Sequence, residues 1–162
     1  MKIFRREVVL RVLLGLAVVL VAVQFIPVDR TNPPVESEVP APPNVRAVLR
    51  RACYDCHSNE TVWPWYGHVA PVSWLLARDV HEGRREVNFS AWNRLPGGRQ
   101  ARKLKETWKE VSEGEMPPWY YLPLHREARL SAGDREVLRA WTLSATSAPE
   151  RTKSEPASSG GR

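Results

Sequence analysis

Cys53-Tyr54-Asp55-Cys56-His57 is the stretch on which the reading of this chain turns. Two cysteines three positions apart, with a histidine directly after the second, form the attachment pattern of a c-type haem. Thiols so spaced can each add to one vinyl group of a porphyrin, and the adjoining histidine then stands as proximal ligand to the iron. These are the only two cysteines in the chain, so one assignment uses both. Three other chemistries share part of the pattern. A thioredoxin-type redox pair expects a βαβ setting, and no strand-rich run precedes Cys53. A tetrahedral zinc site needs four ligands. The remaining candidates, His68, His81, His125 and Met116, show no paired histidine spacing. A plain structural disulfide is the third. Haem is the leading reading of the four.

Upstream of the motif, Val45, Val48, Leu49 and Ala52 recur at helical spacing, so a short amphipathic helix leads straight into Cys53, with Asn44 as its expected N-cap. The fold domain is expected over residues 44–143. Before it, residues 27–43 hold Pro27, Pro33, Pro34, Pro40, Pro42 and Pro43. Prolines at that density favour extended, polyproline-like chain, here read as a semi-rigid linker outside the fold. Earlier still, Val8 to Ile26 is a nearly continuous apolar run interrupted only by Arg11 and Gln24. A run of this length is close to the ~20 residues a helix needs to cross a bilayer. Residues 8–26 therefore read as a transmembrane anchor, or alternatively as a signal peptide, although no small-residue cleavage site follows. The basic segment 1–7 is expected to stay cytoplasmic, which puts everything after Ile26 on the periplasmic side of a bacterial inner membrane. Haem ligation outside that membrane agrees with this placement, because exposed cysteine pairs there are otherwise expected to oxidise.

Downstream, residues 58–70 read as an irregular loop carrying Trp63, Trp65 and Tyr66. Ala70-Pro71-Val72 opens a helix with Val72, Leu75, Leu76 and Val80 as its inner face, ended by Gly83 or Asn88. Ser90 is expected to cap a brief turn carrying Trp92. The clearest helix spans 99–113, with Leu104, Thr107, Trp108 and Val111 as its stripe and Gly114 as terminator. A last helix runs from about Ser131 to Thr142, and Ser131 with Asp134 approximates a capping box. Residues 144–162, rich in Ser, Pro, Gly and charge, are expected to be disordered.

The chain has 24 basic and 18 acidic residues, a formal charge of +6. Five basic against two acidic residues fall within the first thirty, so half of the excess serves membrane topology. No dense basic run interleaved with aromatics remains to support nucleic-acid binding. Seven tryptophans are a heavy load for a small domain. Most should be ordinary core, while Trp63, Trp65, Tyr66 and Trp119 are candidates to wall a flat apolar cofactor from water.

An electron-transfer haem also needs a sixth ligand. Met116 is the only methionine after the initiator and sits in the Pro-rich loop Gly114-Glu115-Met116-Pro117-Pro118. His/Met ligation raises the reduction potential, and Met116 is the expected distal ligand. His68 is the best histidine alternative. His81 lies among charged residues, His125 has backbone nearby, and a water-occupied sixth site is the remaining option.

Cys53 to Asn59 with Thr61, then Trp63-Pro64-Trp65-Tyr66, Ala70-Pro71-Val72-Ser73-Trp74 and Gly114-Glu115-Met116-Pro117-Pro118-Trp119-Tyr120, resemble the bacterial haem-binding domain family of cytochrome c type. The resemblance spans roughly residues 45–143. It implies a mostly α, small cytochrome c-like helical domain around one covalent haem, with Cys53 and Cys56 as thioether sites and His57 as proximal ligand. By similarity to class I cytochromes it implies Met116 as distal ligand. The expected function is therefore that of a membrane-anchored monohaem c-type cytochrome, carrying single electrons to redox partner proteins at the membrane or in the periplasm. The rival is a haem-based peroxidase or gas or redox sensor with an open sixth site, although no distal acid–base group is obvious. A third reading is a tethered disulfide protein without haem.

Overall fold

In a computed structural model that describes residues 2–147, every extended regular element is a helix. Six α-helices run α1 (Lys2–Ala22), α2 (Pro43–Ala52), α3 (Tyr54–His57), α4 (Val72–Glu86), α5 (Gly97–Glu113) and α6 (Ala132–Ser147), with 3₁₀ turns at Val23–Phe25, Trp65–His68, Trp92–Arg94 and Arg126–Ala128. Among the described residues there are no strands, only an isolated bridge between Ser37 and Ala91. The chain divides into two interleaved units, residues 1–35 with 54–90, and residues 36–53 with 91 onward.

The first unit begins with α1 and its 3₁₀ extension. Arg5–Phe25 is long and apolar enough to cross a membrane, and none of that stretch is buried against the rest of the protein. Its leucines favour a helix and its valines do so less, and a lipid setting would require all backbone groups to be paired within the segment. The rest of the unit is α3 packed on α4, with the 65–68 turn on the other flank of α4. The inner face of α4 is Ser73, Ala77, Val80 and Gly83; Val80 is there as expected, while small residues stand in place of Val72, Leu75 and Leu76. Val72 and Leu75 are exposed and Leu76 half-buried. At Gly83 the neighbouring backbone leaves no room for a side chain, since a Cβ there would stand 2.5 Å from Cys56 O. Gly83 does not terminate α4, which continues to Glu86.

In the second unit, α6 packs on α5 and α2, closing a core of Val45, Leu49, Leu104, Val111, Leu138 and Trp141. The start of α2 differs from expectation. Pro43 takes the first helical position, where its missing N–H costs nothing and its fixed φ suits the helix, and Pro42 occupies the cap without a side-chain bond. Arg135 Nη1 donates to the Val111 carbonyl at 2.6 Å, a second bond to an acceptor that already takes the Gly114 N–H at 3.3 Å. Gly114 ends α5 at φ 83°, the left-handed conformation that favours glycine. Ser90 does not cap the turn carrying Trp92; Ala91 precedes that turn. Only Trp92 and Trp141 of the seven tryptophans are fully buried, so the aromatic load is not mainly core.

Of the expected linker 27–43, Pro43 already opens α2, and residues 27–42 form no helix or strand, as their prolines dictate, yet they are not held apart from the fold. Extended chain leaves its carbonyls unpaired, and the folded units supply donors. Asn59 Nδ2 donates to Pro34 O at 2.8 Å within the first unit. In the second, Trp141 Nε1 donates to Pro40 O at 3.3 Å, Arg94 pairs with Glu36, and Val39 is buried. Residues 144–147, expected to be unstructured, complete α6, and the rest of that tail, 148–162, lies outside the described residues.

The capping box at α6 is formed as expected. The Ser131 N–H donates to Asp134 Oδ2 at 2.9 Å and the Asp134 N–H to Ser131 Oγ at 3.1 Å. Arg51 pairs with the same carboxylate at 2.9 Å. The Ser131 hydrogen bond first, and Arg51 after it, hold the Asp134 carboxyl below its ordinary value of 3.8. A depressed folded value stabilises the fold above the unfolded one and stops doing so as pH falls through the folded one. Asp134→Asn should therefore cost about 1 kcal/mol at neutral pH, discounted for exposure. The difference from the parent should shrink below pH 3.8, as denaturant titrations at both pH values would show.

Candidate functional site

The sequence Tyr54-Asp55-Cys56-His57 forms one short helical turn, α3, immediately after Cys53 closes α2 with its N–H on Leu49 O at 2.8 Å. Cys53, Cys56 and His57 are each half-buried, and no disulfide joins the two sulfurs. Burial, reinforced by the Asp55 and Asp79 charges, pushes the Cys56 thiol up to about 12, which keeps it protonated and quiet in the unmodified protein.

His57 is the best-positioned group. Its Nδ1 lies 2.9 Å from Gly83 O and 3.2 Å from Val87 O. Both partners are carbonyls and can only accept, so Nδ1 carries the proton and Nε2 keeps its lone pair. Burial lowers the imidazole pKa, opposed by these two hydrogen bonds, and favours the neutral ring that a metal ligand must have. The ring also lies 6.2 Å from Phe89, which stacks on Tyr54 at 5.9 Å. The Phe89 N–H donates to His57 O at 2.8 Å, so the backbone and the ring of His57 are held from opposite ends of one connection.

Two residues permit this arrangement. Gly83 is buried in the middle of α4, and a Cβ there would stand 2.5 Å from Cys56 O and 3.2 Å from Cys56 Cβ. Only glycine lets α3 come close enough for its own carbonyl to reach His57 Nδ1. Arg84, one position on, spreads its guanidinium over four acceptors. Nε donates to Ser58 O at 2.7 Å, Nη1 to Thr31 O at 2.8 Å, and Nη2 to Asn32 Oδ1 at 2.7 Å and Thr61 Oγ1 at 2.9 Å. Around it the loop after His57 is fully cross-tied. Ser58 Oγ donates to Tyr54 O, Thr61 Oγ1 to Asp55 O, and Asn59 takes Ser90 Oγ as acceptor for its N–H and Asn88 Nδ2 as donor to its Oδ1. Ser58, Asn59, Thr61 and Ser90 are all buried, so these bonds satisfy groups that would otherwise be costly.

Gly83, Arg84, Phe89 and the Asn59–Asn88–Ser90 set were not singled out as functional from sequence. A glycine inside a helical pattern was the one available signal, since it usually marks a close approach.

The other candidates are placed as follows. In the first unit Trp63 and Tyr66 are half-buried, Trp65 is 78% exposed, and His68 is exposed at the end of the 65–68 turn. The Trp63 indole N–H is buried without a partner among the described residues. In the second unit Met116 is half-buried, and its N–H on Glu110 O at 3.2 Å ties the loop to the end of α5. Trp119 is 81% exposed. His125 stacks on Tyr121 at 3.9 Å and lies beside Glu127, while His81 lies 3.8 Å from Asp29.

These residues fit a haem. Two half-buried cysteines with two residues between them in sequence, a neutral histidine with Nε2 available, and a buried indole donor suited to a polar group of a ligand are what such a cofactor requires. Among the described residues no group of three or more His, Cys, Asp and Glu could hold a metal ion, which leaves zinc without a built site. A family model described as a haem-binding domain matches residues 18–144. No curated protein and no solved structure matches the chain.

Proposed function

Since the chain belongs to the haem-binding domain family, we propose that it is a membrane-anchored c-type cytochrome carrying single electrons. The observation that carries this reading is the His57 ring, fixed through Nδ1 on Gly83 and Val87 so that Nε2 remains a ligand atom. Cys53 and Cys56 supply the thioether bonds and His57 the proximal ligand. Haem held there supplies a one-electron iron couple.

The protein's part is to hold that ligand still. An imidazole whose Nδ1–H is bonded to carbonyls is a more basic and better-oriented ligand, the usual outer-sphere arrangement for metal-bound histidine. Because those carbonyls belong to the end of α4, ring rotation would cost both hydrogen bonds. The network of Arg84, Asn59 and Ser90 restrains the loop that follows, so little reorganisation accompanies a change of charge. Met116 is the distal ligand in this reading, supported by its being the only methionine besides the initiator and by the bond that ties its backbone to α5. Arg5–Phe25 is the anchor, and the basic residues at its N-terminal end, Lys2, Arg5, Arg6 and Arg11, leave the domain on the periplasmic side of the inner membrane, facing redox partner proteins there.

The test is optical. Protein matured with a c-haem assembly system should show a c-type reduced spectrum that carbon monoxide leaves unchanged. Met116→Ala should lower the reduction potential and let carbon monoxide bind. Carbon monoxide binding to the unsubstituted protein would transfer the function to gas sensing or peroxidase chemistry.

A further inference from the structure

Gln24 is the polar residue that interrupts the end of the apolar run, and the anchor reading alone gives it no role. Its side chain reaches the haem-bearing unit. Oε1 accepts the Ala70 N–H at 2.9 Å, and Nε2 donates to Ala70 O at 3.2 Å and to Leu20 O at 2.9 Å. One amide thus takes both backbone groups of Ala70, and Arg30 Nη1 adds a weaker bond to Gly67 O at 3.4 Å. The segment holding the 65–68 turn is therefore fastened directly to the last turn of the span, with no free chain between them.

What that segment exposes is apolar. Phe25 and Ile26 are 82% and 52% exposed on one side of the Gln24–Ala70 contact, and Val69 and Val72 are 45% and 43% exposed on the other. Trp65 is 78% exposed in the attached turn, and Leu75 follows Val72 one helical turn along α4 at 47%. In a chain with 26% charged residues, positions 61–77 contain no Asp, Glu, Lys or Arg. Charge resumes at Arg78, which is directed to solvent and paired with Glu82 at 3.0 Å. A largely apolar surface of this kind, with Arg30 at Gly67 and the exposed His68 as its polar edge, needs a cover. It is continuous with α1, whose sides are open along the whole span.

We infer that residues 61–77 lie against the bilayer, so that Trp65, Val69, Val72 and Leu75 enter the interfacial region of the lipid in which α1 is anchored. Tryptophan at headgroup depth and aliphatic side chains just below it are the usual occupants of that zone. The anchor then fixes the orientation of the first unit as well as its location, since the face built on Arg78 and Glu82 must stay in water. This inference rests on the anchor reading and extends it.

Lipid photo-crosslinking on the full, haem-loaded chain in nanodiscs tests it. The discs contain phosphatidylcholine carrying a diazirine near the top of the acyl chain, and adducts are mapped by peptide mass spectrometry. The expected result is adducts in α1 and in residues 61–77, with none over 78–86. Adducts in α1 alone would overturn the inference and leave the anchor standing, and adducts in neither would remove the anchor reading and the inference together. Gln24→Ala is expected to reduce labelling of 61–77 several-fold while labelling of α1 persists. Unchanged labelling of 61–77 in that variant would refute the fastening by Gln24.

Discussion

Gly83→Ala is expected to destabilise the fold and to cut haem incorporation several-fold, although alanine is the better helix former. Two effects of opposite sign compete at this position. Removing a glycine from a helix interior gains about 1 kcal/mol in propensity. Against that, the new methyl would sit 2.5 Å from the carbonyl oxygen of Cys56 and 3.0 Å from its carbonyl carbon. These are backbone atoms, which cannot rotate away as a side chain would. Either α3 moves off α4 or the helix bends, and such overpacking costs typically 1–3 kcal/mol. The displacement also lengthens the bond from His57 Nδ1 to Gly83 O, so the damage falls on the His57 ring itself. Thermal melting together with haem absorbance per mole of protein would show it. A stabilised Gly83→Ala protein with full haem content would mean that the close approach of α3 to α4 is not required.

Arg84→Lys is the second large effect. The substitution keeps the charge but not the fork, and an ammonium cannot reach Ser58 O, Thr31 O, Asn32 Oδ1 and Thr61 Oγ1 at once. The acceptors do not lose equally. Thr31 and Asn32 are exposed, so water replaces their bonds cheaply. Ser58 and Thr61 are buried, at 0% and 5% exposure, and an acceptor left unpaired in such a place costs about 1–3 kcal/mol. The total loss should be on the order of 2–3 kcal/mol, or a melting temperature lower by roughly 10 °C. Hydrogen exchange should rise together in residues 31–32 and 58–61, because one guanidinium ties both. Arg85→Lys, at the exposed next position, is the control and should change neither. Independent exchange of the two segments would dissociate the anchor-proximal chain from the haem loop.

Much of this was legible in the sequence. The apolar run fixed α1, the 3.6-residue periodicity of Val45, Val48 and Leu49 fixed α2, and Ser131 with Asp134 marked the start of α6. The haem-binding family was readable from the cysteine spacing and the loops around it. What escaped was set by close approach and by backbone acceptors, neither of which has a periodic signature. The inner face of α4 was misassigned except at Val80, because hydrophobicity selects Val72, Leu75 and Leu76, whereas the buried positions are Ser73, Ala77 and Gly83, the last held to glycine by the approach of Cys56. The Pro-rich stretch was read as a stalk because prolines exclude helix and strand. Nothing in such composition reveals that the Pro34 and Pro40 carbonyls will meet Asn59 and Trp141. Trp65 was assigned to a cofactor wall on chemistry alone, and composition could not show that it is 78% exposed.

The most direct test of the central claim is the mass of one peptide. Trypsin should release Ala52–Arg78 from protein matured with a c-haem assembly system, carrying Cys53, Cys56 and His57 together. The expected result is a single species heavier by one haem that survives denaturation, and that disappears when both cysteines are replaced by serine. Recovery of that peptide unmodified, with two thiols or an internal disulfide, from protein that is otherwise folded would contradict it.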